Sequence, residues 1–519
     1  SSDLLIYTKE SIMHTSIWVD LSPGKRFKPL SESIETDILI IGGGLTGIST
    51  ALELSNTDLN ITLIDSNQIG YGTSGRNTGK VTPQAGLVYS KIKNYYGLEK
   101  AKYFYQENLK ALNKIKENIS KYHIECDFAP APSFIFSKRP DRITAFEEEY
   151  KVYEEIGIEG ELTHHIDLPI DVEVALSQTH AGIFNPKKYL DGLIPILLKR
   201  NIKIYESTPV TDIQKSNSGW RAIIDGHLVI TARQVLFCSH YPFYDHYSFY
   251  FTRLKPEKSY IVAGLYDKSF PQATFIDEDD PVRSLCPYRT NDQTWLLIAG
   301  ENHKVGQSNT NHFDRLKGYG LEVFGLSNYQ YAWSAQGYVT PDSIPYIGYL
   351  NEHDEELYVA TGFNKWGNLN STIAAHQLCD LVLNRKSNDA GVYDPSRKRG
   401  YFTAAYISDN VNSIYELIKS HMTSTSTSLP KENDSASVVE LDGKKYGAYK
   451  DDNGELHIVD IVCPHVGTQL NWNSIERTWD CPAHGSRFSY DGDIIEGPST
   501  HRLNKYLEEP NKIDPHIIN

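Results

Sequence analysis

Between residues 37 and 65 the hydrophobic positions change from a strand pattern to a helical one and back. The run Ile38–Ile41 is apolar without alternation, which is typical of a parallel strand buried on both faces, and Ile61–Ile64 starts a second strand. Between the two runs Ile48, Ala51 and Leu52 recur at helical spacing. The pattern therefore predicts a strand, a turn, a helix and a second parallel strand.

The turn inside this unit has the glycine spacing of a dinucleotide-binding site. Gly42 suits a tight turn, Gly44 lets the backbone approach a pyrophosphate, and Gly47 lets the helix pack closely on the strand. Asp65 follows at the end of the second strand, where it is placed to accept ribose hydroxyls. The alternative is a glycine-rich turn in an ordinary strand-helix-strand unit, but the complete context favours nucleotide binding.

Later segments predict a nucleotide domain that is interrupted by a second sheet. Residues 98–122 have the pattern of an amphipathic surface helix, residues 186–200 form an apolar helix, and residues 202–240 contain strand-like runs. Residues 250–340 are rich in β signals, as an antiparallel substrate-facing sheet would be. Residues 357–383 read as a strand, a glycine-bearing turn and a helix, which returns the chain to the nucleotide domain.

Composition narrows the choice of partners. The chain has 519 residues, 40% hydrophobic and 23% charged, and a formal net charge of -15 that opposes binding to phosphate backbones. No apolar run approaches the roughly 18 to 20 residues that a membrane helix needs, so we expect no membrane span and a cytoplasmic protein. Six cysteines are too few for a disulfide framework in a chain of this length.

Four segments, in order, carry a resemblance to a known family. DILIIGGGLTGIS, GTSGRNTGK, PDSIPYIG and GFNKWGN resemble the FAD-dependent amine and amino-acid oxidoreductases of the D-amino acid oxidase and glycine oxidase group, over roughly residues 15 to 385. The resemblance implies that the first glycine turn and the acidic residue hold ADP, that the small-residue loop 72–78 lies along the flavin, and that the turn 362–368 meets the isoalloxazine ring. The residues assigned to FAD are Gly42, Gly44, Leu45, Thr46, Gly47, Asp65, Ser66, Gly72, Thr73, Ser74, Gly75, Arg76, Asn77, Thr78, Val210, Gly348, Gly362, Lys365, Trp366, Gly367 and Asn368.

The C-terminal part carries a second set of candidate ligands. Cys463-x-His465 and Cys481-x-x-His484 are two loop pairs that could bind a single zinc ion as a structural module. Their spacing instead resembles the Rieske ferredoxin signature, over about 75 residues. The resemblance implies a [2Fe-2S] cluster in which the two cysteines hold one iron and the two histidines hold the other.

This Rieske-like segment departs from many relatives in two ways. The two extra cysteines that bridge the ligand loops in many Rieske proteins are replaced by Thr468 and Ala483, so hydrogen bonds and packing alone must hold these loops. Phe488 also lacks a hydroxyl that high-potential relatives carry nearby, although Ser486 can still donate to sulfur. We therefore expect a midpoint potential near the lower end of the Rieske range, at about -150 mV.

Together these patterns predict an α/β FAD-binding Rossmann-like domain with an interleaved antiparallel-sheet substrate domain, followed by a small all-β Rieske domain. The predicted boundaries are an N-terminal extension (1–36), the oxidoreductase (37–420), a linker (421–437) and the Rieske domain (438–519). Within the oxidoreductase, the nucleotide-binding parts are about 37–95, 183–245 and 340–385, and the substrate parts are about 96–182 and 246–339.

The resemblances imply oxidation of an amine or amino acid by FAD, with electrons passed through the Rieske cluster to an external acceptor, for which a redox protein is one candidate. Lys365 is the candidate catalytic residue, because a cation at this turn would stabilise negative charge on the reduced ring or contact a substrate carboxylate. Weaker pocket candidates are Trp333, Gln336, Glu301 and His303.

Two other functions remain open at this stage. A reductase would run electrons in reverse to an oxygenase, but no second GxGxxG for NAD(P)H is present. A non-redox scaffold or tRNA-type modification module is the second alternative.

Overall fold

The structure is a computed structural model that describes residues 15–290, 292–308, 310–385, 391–398, 404–420 and 428–506. Its helices are α1 (Ile17–Leu21), α2 (Leu45–Leu54), α3 (Val88–Tyr96), α4 (Leu98–Tyr122), α5 (Ile143–Ile156), α6 (Pro186–Lys199), α7 (Tyr250–Arg253), α8 (His312–Phe324), α9 (Gly367–Val382) and α10 (Ala404–Ser420). Within these residues, no helix combines the length and the apolar character needed to cross a bilayer.

The strands fall into a nucleotide-binding sheet, a substrate-side sheet, a separate sheet of three short strands from the first half of the chain, and two small C-terminal sheets. In the first half of the chain they are β1 (Ile34–Ile41), β2 (Ile61–Ile64), β3 (Lys80–Val81), β4 (Ala129–Pro130), β5 (Ser133–Ser137), β6 (Leu162–Thr163), β7 (Val174–Gln178), β8 (Gly182–Ile183), β9 (Lys203–Tyr205), β10 (Val210–Ser216), β11 (Gly219–Ile224) and β12 (Leu228–Phe237). The later strands are β13 (Lys255–Leu265), β14 (Thr274–Asp277), β15 (Arg283–Arg289), β16 (Thr294–Lys304), β17 (Tyr329–Val339), β18 (Tyr346–Tyr349), β19 (Leu357–Thr361), β20 (Ser435–Leu441), β21 (Lys444–Lys450), β22 (Leu456–Asp460), β23 (Asn471–Asn473), β24 (Thr478–Asp480), β25 (Arg487–Ser489) and β26 (Ile494–Glu496).

The nucleotide-binding sheet has a parallel centre. Its strand order is β10-β11-β12-β1-β2-β9, with β19 parallel to the end of β12 and β18 antiparallel to β19. Ile40 of β1 pairs with Leu63 of β2, and Leu39 pairs with Val235 of β12. Because the buried core lies on both faces of β1, its inner residues are apolar without alternation, as the sequence predicted.

The substrate-side sheet is mostly antiparallel. Its order is β17-β13-β16-β15-β14-β5-β7-β6, and only the pair β5 and β14 runs parallel within it. Each face covers its own apolar cluster, so this sheet is sandwiched rather than open to solvent on one side. The predicted fold class is therefore confirmed.

The C-terminal strands form two small sheets, β20-β21-β22 and β23-β24-β25-β26. Strand β20 begins at Ser435, inside the segment predicted as a linker, and residues 421–427 of that linker lie outside the described residues. At the other end of the chain, β1 begins at Ile34, inside the predicted N-terminal extension.

Candidate functional site

The glycine turn after β1 is constrained by close backbone contacts. A Cβ atom on Gly42, whose φ is +110°, would lie 2.4 Å from the carbonyl oxygen of Cys238. A Cβ atom on Gly47 would lie 1.9 Å from the carbonyl oxygen of Gly42. Helix α2 then begins with Gly44 as its N-cap. The amide of Leu45 donates to Ser74 Oγ at 2.9 Å, and the helix N-terminus meets the cavity at Thr46, where its positive end favours an anion.

Asp65 braces this turn from the end of β2. Its Oδ2 accepts a hydrogen bond of 2.7 Å from the amide of Gly43, and its Oδ1 accepts one of 2.8 Å from the amide of Asn67. Burial raises the pKa of Asp65 to about 6, against the two amide hydrogen bonds that lower it. Asp65 also lines the cavity described next, so its carboxylate can face a ribose.

A cavity of about 890 Å³ extends from the glycine turn to the turn before α9. The predicted FAD residues that line it are Gly42, Gly44, Leu45, Thr46, Asp65, Ser66, Gly72, Thr73, Ser74, Arg76, Asn77, Thr78, Val210, Lys365, Trp366, Gly367 and Asn368. The cavity thus brings together residues that are more than 300 positions apart in the chain.

Four predicted glycines lie behind the cavity wall instead. Gly47 contacts the backbone of the first turn, and a Cβ atom on Gly75 would lie 2.3 Å from the carbonyl oxygen of Gly70. A Cβ atom on Gly348 would lie 2.7 Å from Pro395, and one on Gly362 would lie 2.4 Å from Thr340. These glycines permit close packing and are not among the residues that line the cavity, so their assignment to FAD stays a prediction.

Unpartnered polar atoms mark the cavity as a ligand site. Within the part of the chain that the structure describes, Gln68 Oε1 and Asn368 Oδ1 are buried without a hydrogen-bond donor, and both residues line the cavity. The N-termini of α2 and α9 also meet it. Buried acceptors and helix N-termini fit a ligand that has both N–H or O–H donors and phosphate groups, as FAD has.

The N-terminal segment supports loop 72–78, the loop that the family resemblance assigns to the flavin. This role was not predicted from the sequence. Ser16 Oγ donates to the carbonyl oxygen of Gly75, and Trp18 Nε1 donates to that of Asn77 at 2.5 Å. Trp18 is fully buried against Tyr288 of the substrate-side sheet. The segment therefore holds loop 72–78 in place, in addition to contributing Leu30 to the core beneath β1.

Two lysines line the far end of the cavity. Lys365, which has a φ of +69°, pairs with Glu257 Oε2 at 2.8 Å. Lys80, which was not singled out from the sequence, donates to the carbonyl oxygen of Phe275 at 3.2 Å, and burial lowers its pKa to about 8. The four weaker pocket candidates Trp333, Gln336, Glu301 and His303 are not among the residues that line this cavity.

The four candidate metal ligands meet in two adjacent loops. The rings of His465 and His484 lie 5.2 Å apart between centroids, and burial lowers their pKa values to about 4 and about 3, so both imidazoles are neutral and able to bind metal. Among the described residues, the Nδ1 atoms of both are buried without a partner. A hydrogen bond from the Cys481 thiol lowers the pKa of Cys463 to about 7, which favours thiolate formation.

The donor atoms form two pairs rather than one tetrahedral set. A single zinc ion would bring all four donors within about 4 Å of one another, since each bond is about 2.0 to 2.3 Å long. The one group of three or more acidic, cysteine or histidine donors within 4.8 Å of one another in the described ranges is Asp451, Glu455 and His457, on another part of the surface. The geometry therefore fits a cluster with two irons, which separates its cysteine side from its histidine side.

Backbone hydrogen bonds hold the ligand loops in place of a disulfide. The amide of Cys463 donates to the carbonyl oxygen of Thr468 at 2.9 Å, and the amide of Cys481 donates to that of Ser486 at 2.7 Å. Thr468 and Ala483 are buried at the positions where many relatives carry the extra cysteines. Packing and hydrogen bonds thus replace the covalent link, as the sequence predicted.

The C-terminal domain packs directly against the cavity. Tyr241, which lines the cavity, has its ring centroid 6.2 Å from that of His465, and Phe251 has its ring 5.4 Å from that of His484. Behind these contacts Gln336 Nε2 donates to the carbonyl oxygen of Gly485 at 2.9 Å. The histidine side of the candidate cluster site therefore faces the oxidoreductase domain.

Comparison with protein families gives two adjoining matches. The family described as FAD dependent oxidoreductase matches residues 37–381, and the family described as Rieske [2Fe-2S] domain matches residues 420–507. The first match covers more than half of the chain, and the second contains all four candidate ligands.

Individual relatives agree with this division. The chain is 32% identical over 480 residues, 91% of this chain and 94% of the other, to YhfW of Bacillus subtilis, which carries the name of a Rieske 2Fe-2S iron-sulfur protein. It is 24% identical over 400 residues, 71% of this chain and 89% of the other, to gamma-glutamylputrescine oxidoreductase of Escherichia coli. Among solved structures, glycine oxidase from Geobacillus kaustophilus has a TM-score of 0.59 at 17% identity, covering 70% of this chain and all of that one, so it shares the fold.

Proposed function

The chain belongs to the FAD-dependent oxidoreductase family and carries a C-terminal Rieske [2Fe-2S] domain, and from this premise we propose that it dehydrogenates an amine or amino acid and delivers the electrons to an external one-electron acceptor. The predictions of FAD and of a [2Fe-2S] cluster are confirmed by the two family matches. The interpretation of the C-terminal segment as a structural zinc module alone is therefore wrong.

One observation carries the proposal of an internal relay. Tyr241 lines the flavin cavity, and its ring lies 6.2 Å from the ring of His465, between centroids. When bound, FAD accepts a hydride from the substrate and the cluster carries single electrons, so a two-electron oxidation is divided into one-electron steps. Because the Tyr241 side chain meets both the cavity and the candidate cluster ligand His465, this arrangement supports electron transfer within the chain.

The cavity residues support an amine that also carries a carboxylate. Lys80 and Lys365 line the cavity, with the Lys365 ammonium paired to Glu257 and the Lys80 ammonium bound to the carbonyl oxygen of Phe275. The proposal requires one of these lysines to exchange its partner for a substrate carboxylate or for the negative charge that develops on oxidation. Glycine oxidase and gamma-glutamylputrescine oxidoreductase are named for an amino acid and for an amine conjugate, which supports a CH–NH donor. The substrate loses two electrons and two protons to give an imine, which water hydrolyses to a carbonyl compound and the amine or ammonia.

Anaerobic titration with primary, N-methyl and cyclic amines and amino acids tests this proposal. We expect one class to bleach the flavin absorbance and then to produce the electron paramagnetic resonance signal of the reduced cluster. Cys481→Ala is the matched variant, because it removes a cluster ligand and leaves the cavity lining intact. We expect it to keep flavin bleaching and to lose reduction of a one-electron acceptor.

Two results would contradict the proposal. Bleaching by an amine without a cluster signal in the unaltered protein would rule out the internal relay. Bleaching by NADH and by none of the amines would favour the reductase instead.

A further inference from the structure

One wall of the flavin cavity comes from the Rieske domain. The segment Asp493–Arg502, here called the cavity loop, begins just before β26 and continues beyond it. All of its residues except Pro498 and His501 line the cavity. The cavity is therefore composed of both domains, although neither family match assigns flavin contacts to the Rieske domain.

Glu496 is a half-buried acid of this loop, and among the described residues no donor lies within ordinary hydrogen-bond distance of its carboxylate. The nearest basic side chains are Arg487, whose Nη1 lies 3.6 Å from Glu496 Oε2, and His240, whose Nδ1 lies 3.8 Å from Glu496 Oε1 and whose pKa burial lowers to about 4. Both distances exceed the 3.2 Å or so of an ordinary N–H···O hydrogen bond. Burial raises the pKa of Glu496, and the charges of Arg487 and Arg76 oppose that rise. Among the described residues the carboxylate thus has only a long ion pair with Arg487, and it lines the cavity as an available acceptor.

The flavin-facing neighbours of Glu496 place it beside the residues already assigned to FAD. His240 approaches Thr73 Oγ1 at 3.3 Å, and Thr73 also donates to the carbonyl oxygen of Gln336 at 3.1 Å. Thr73 belongs to the loop that the family resemblance aligns along the flavin. Glu496 therefore lies next to that loop in the cavity wall.

We infer that FAD is enclosed between the two domains and that Glu496 of the Rieske domain accepts a hydrogen bond from it. The donors that FAD offers are the N3–H of the isoalloxazine ring and the hydroxyls of the ribityl and ribose groups. A hydrogen bond to a carboxylate is stronger than one between neutral groups, so it adds to the retention of the cofactor. This inference requires only bound FAD and does not depend on amine oxidation.

The same loop supports the cluster on its other side. A Cβ atom on Gly497 would lie 2.5 Å from the Cα atom of Ser486 and 2.6 Å from the carbonyl oxygen of Gly485, so the backbones touch. The amide of Ser499 donates to Ser486 Oγ at 3.2 Å. For FAD to leave past the cavity loop, this loop must move. Because the cavity loop packs on the cluster loop, the Rieske domain is part of the FAD-binding site.

The rate of FAD release from the complete protein tests the inference. We compare Glu496→Ala and Glu496→Gln with the unaltered protein and with Glu432→Ala, a control at an exposed glutamate just before β20. Timed ultrafiltration measures released FAD, and electron paramagnetic resonance of the dithionite-reduced protein reports the cluster. We expect Glu496→Ala to release FAD about ten- to a hundredfold faster, because a hydrogen bond to a charged group is lost. We expect a smaller increase for Glu496→Gln, no change for Glu432→Ala, and a native cluster signal in all three.

The outcomes separate a contact with FAD from a role in folding. Faster release with a native cluster signal in either Glu496 variant supports the contact. A release rate equal to that of the unaltered protein in both variants overturns it. Faster release accompanied by loss of the cluster in both variants also overturns it, because Glu496 would then act on the Rieske fold. Failure of amine turnover would leave each of these readouts unchanged.

Discussion

Lys258 of β13 and Glu476 of the Rieske domain form an ion pair that is buried at the junction of the two domains. Neither side chain is appreciably exposed, and Lys258 Nζ also lies 3.7 Å from Asp480 Oδ2. Glu476 in turn accepts from Ser334 and lies 3.2 Å from Arg487. Because Asp480 directly precedes the cluster ligand Cys481, this network ties the cluster loop to the substrate-side sheet.

Replacing Lys258 should weaken the junction strongly. Among the described residues, Lys258→Met leaves Glu476 and Asp480 with Arg487 as their one buried cationic partner, and breaking such a pair costs about 3 to 5 kcal/mol. Denaturant unfolding followed by the visible circular dichroism of the cluster measures the loss. Lys505→Met is the control, since Lys505 forms an exposed pair with Asp491 and should change stability by about 1 kcal/mol or less. Equal effects of the two substitutions would show that the buried pair is not needed for docking.

The same junction should be sensitive to acid. Burial raises the pKa of Glu476, but the charges of Lys258 and Arg487 outweigh burial and hold this pKa well below its usual range. A carboxyl group with a lowered pKa in the folded state contributes stability above its unfolded pKa of about 4.3, and the contribution is lost as pH falls through the lowered value. We expect the denaturation midpoint to fall steeply below about pH 4. Glu476→Gln should be less stable at neutral pH and should show a shallower decline in acid. A decline of equal slope in this variant would assign the acid sensitivity to other groups.

The potential of the cluster should respond to Ser486. This buried hydroxyl helps to lower the pKa of Cys463, as a donor to its sulfur would, and hydrogen bonds to a ligand sulfur raise the potential of an iron–sulfur cluster. Ser486→Ala should lower the midpoint potential from its expected value of about -150 mV. A difference of about 1.4 kcal/mol between the oxidation states equals about 59 mV for one electron, and we expect a shift of that order.

A redox titration followed by electron paramagnetic resonance measures that shift. Ser489 lies on the adjoining strand, and its hydroxyl accepts a hydrogen bond from the amide of Asp493, away from the sulfur atoms. Ser489→Ala should therefore leave the potential unchanged. A midpoint well above zero in the unaltered protein would contradict the low-potential prediction based on Phe488.

Removal of Asp65 should release FAD. The Asp65→Ala variant loses the acceptor placed for the ribose and also the brace on the amides of Gly43 and Asn67. Loss of a hydrogen bond to a charged group costs about 1.5 to 3 kcal/mol, which corresponds to a Kd raised about ten- to more than a hundredfold. Flavin fluorescence during titration of the apoprotein measures the affinity. Asp58→Ala, at an exposed position of the same unit, should bind FAD normally. Unchanged binding by the Asp65 variant would remove this residue from the FAD site.

The sequence allowed prediction of features whose partners lie close in the chain. Gly42, Gly44 and Asp65 are recognisable together because one strand-helix-strand unit contains them. The metal ligands are recognisable because Cys463 and His465, like Cys481 and His484, occur in short loop pairs. In both cases the chemistry requires fixed residue types at fixed local spacing.

Features that join distant segments could not be predicted in this way. Lys258 and Glu476 are 218 positions apart, and nothing around either residue identifies the other. Trp18 was placed in a segment without assigned chemistry, yet it supports the flavin loop. Gly348 was assigned to FAD because it lies within a family motif, whereas its lack of a side chain accommodates Pro395. A glycine serves packing as readily as ligand binding, and only the tertiary structure distinguishes the two.

The coverage of His465 and His484 by Tyr241 and Phe251 affects which outside molecules can exchange electrons with this protein. Tyr241 and Phe251 cover part of the histidine side of the cluster site, where both histidines stay half-buried, while Val462, Pro464 and Val466 beside the first ligand pair are exposed. The rate of electron tunnelling falls steeply with distance. A freely diffusing oxidant that collides with another part of the surface should therefore accept few electrons. Partial cover of this kind would restrict the surface at which an acceptor can take electrons and would reduce the loss of electrons to other oxidants.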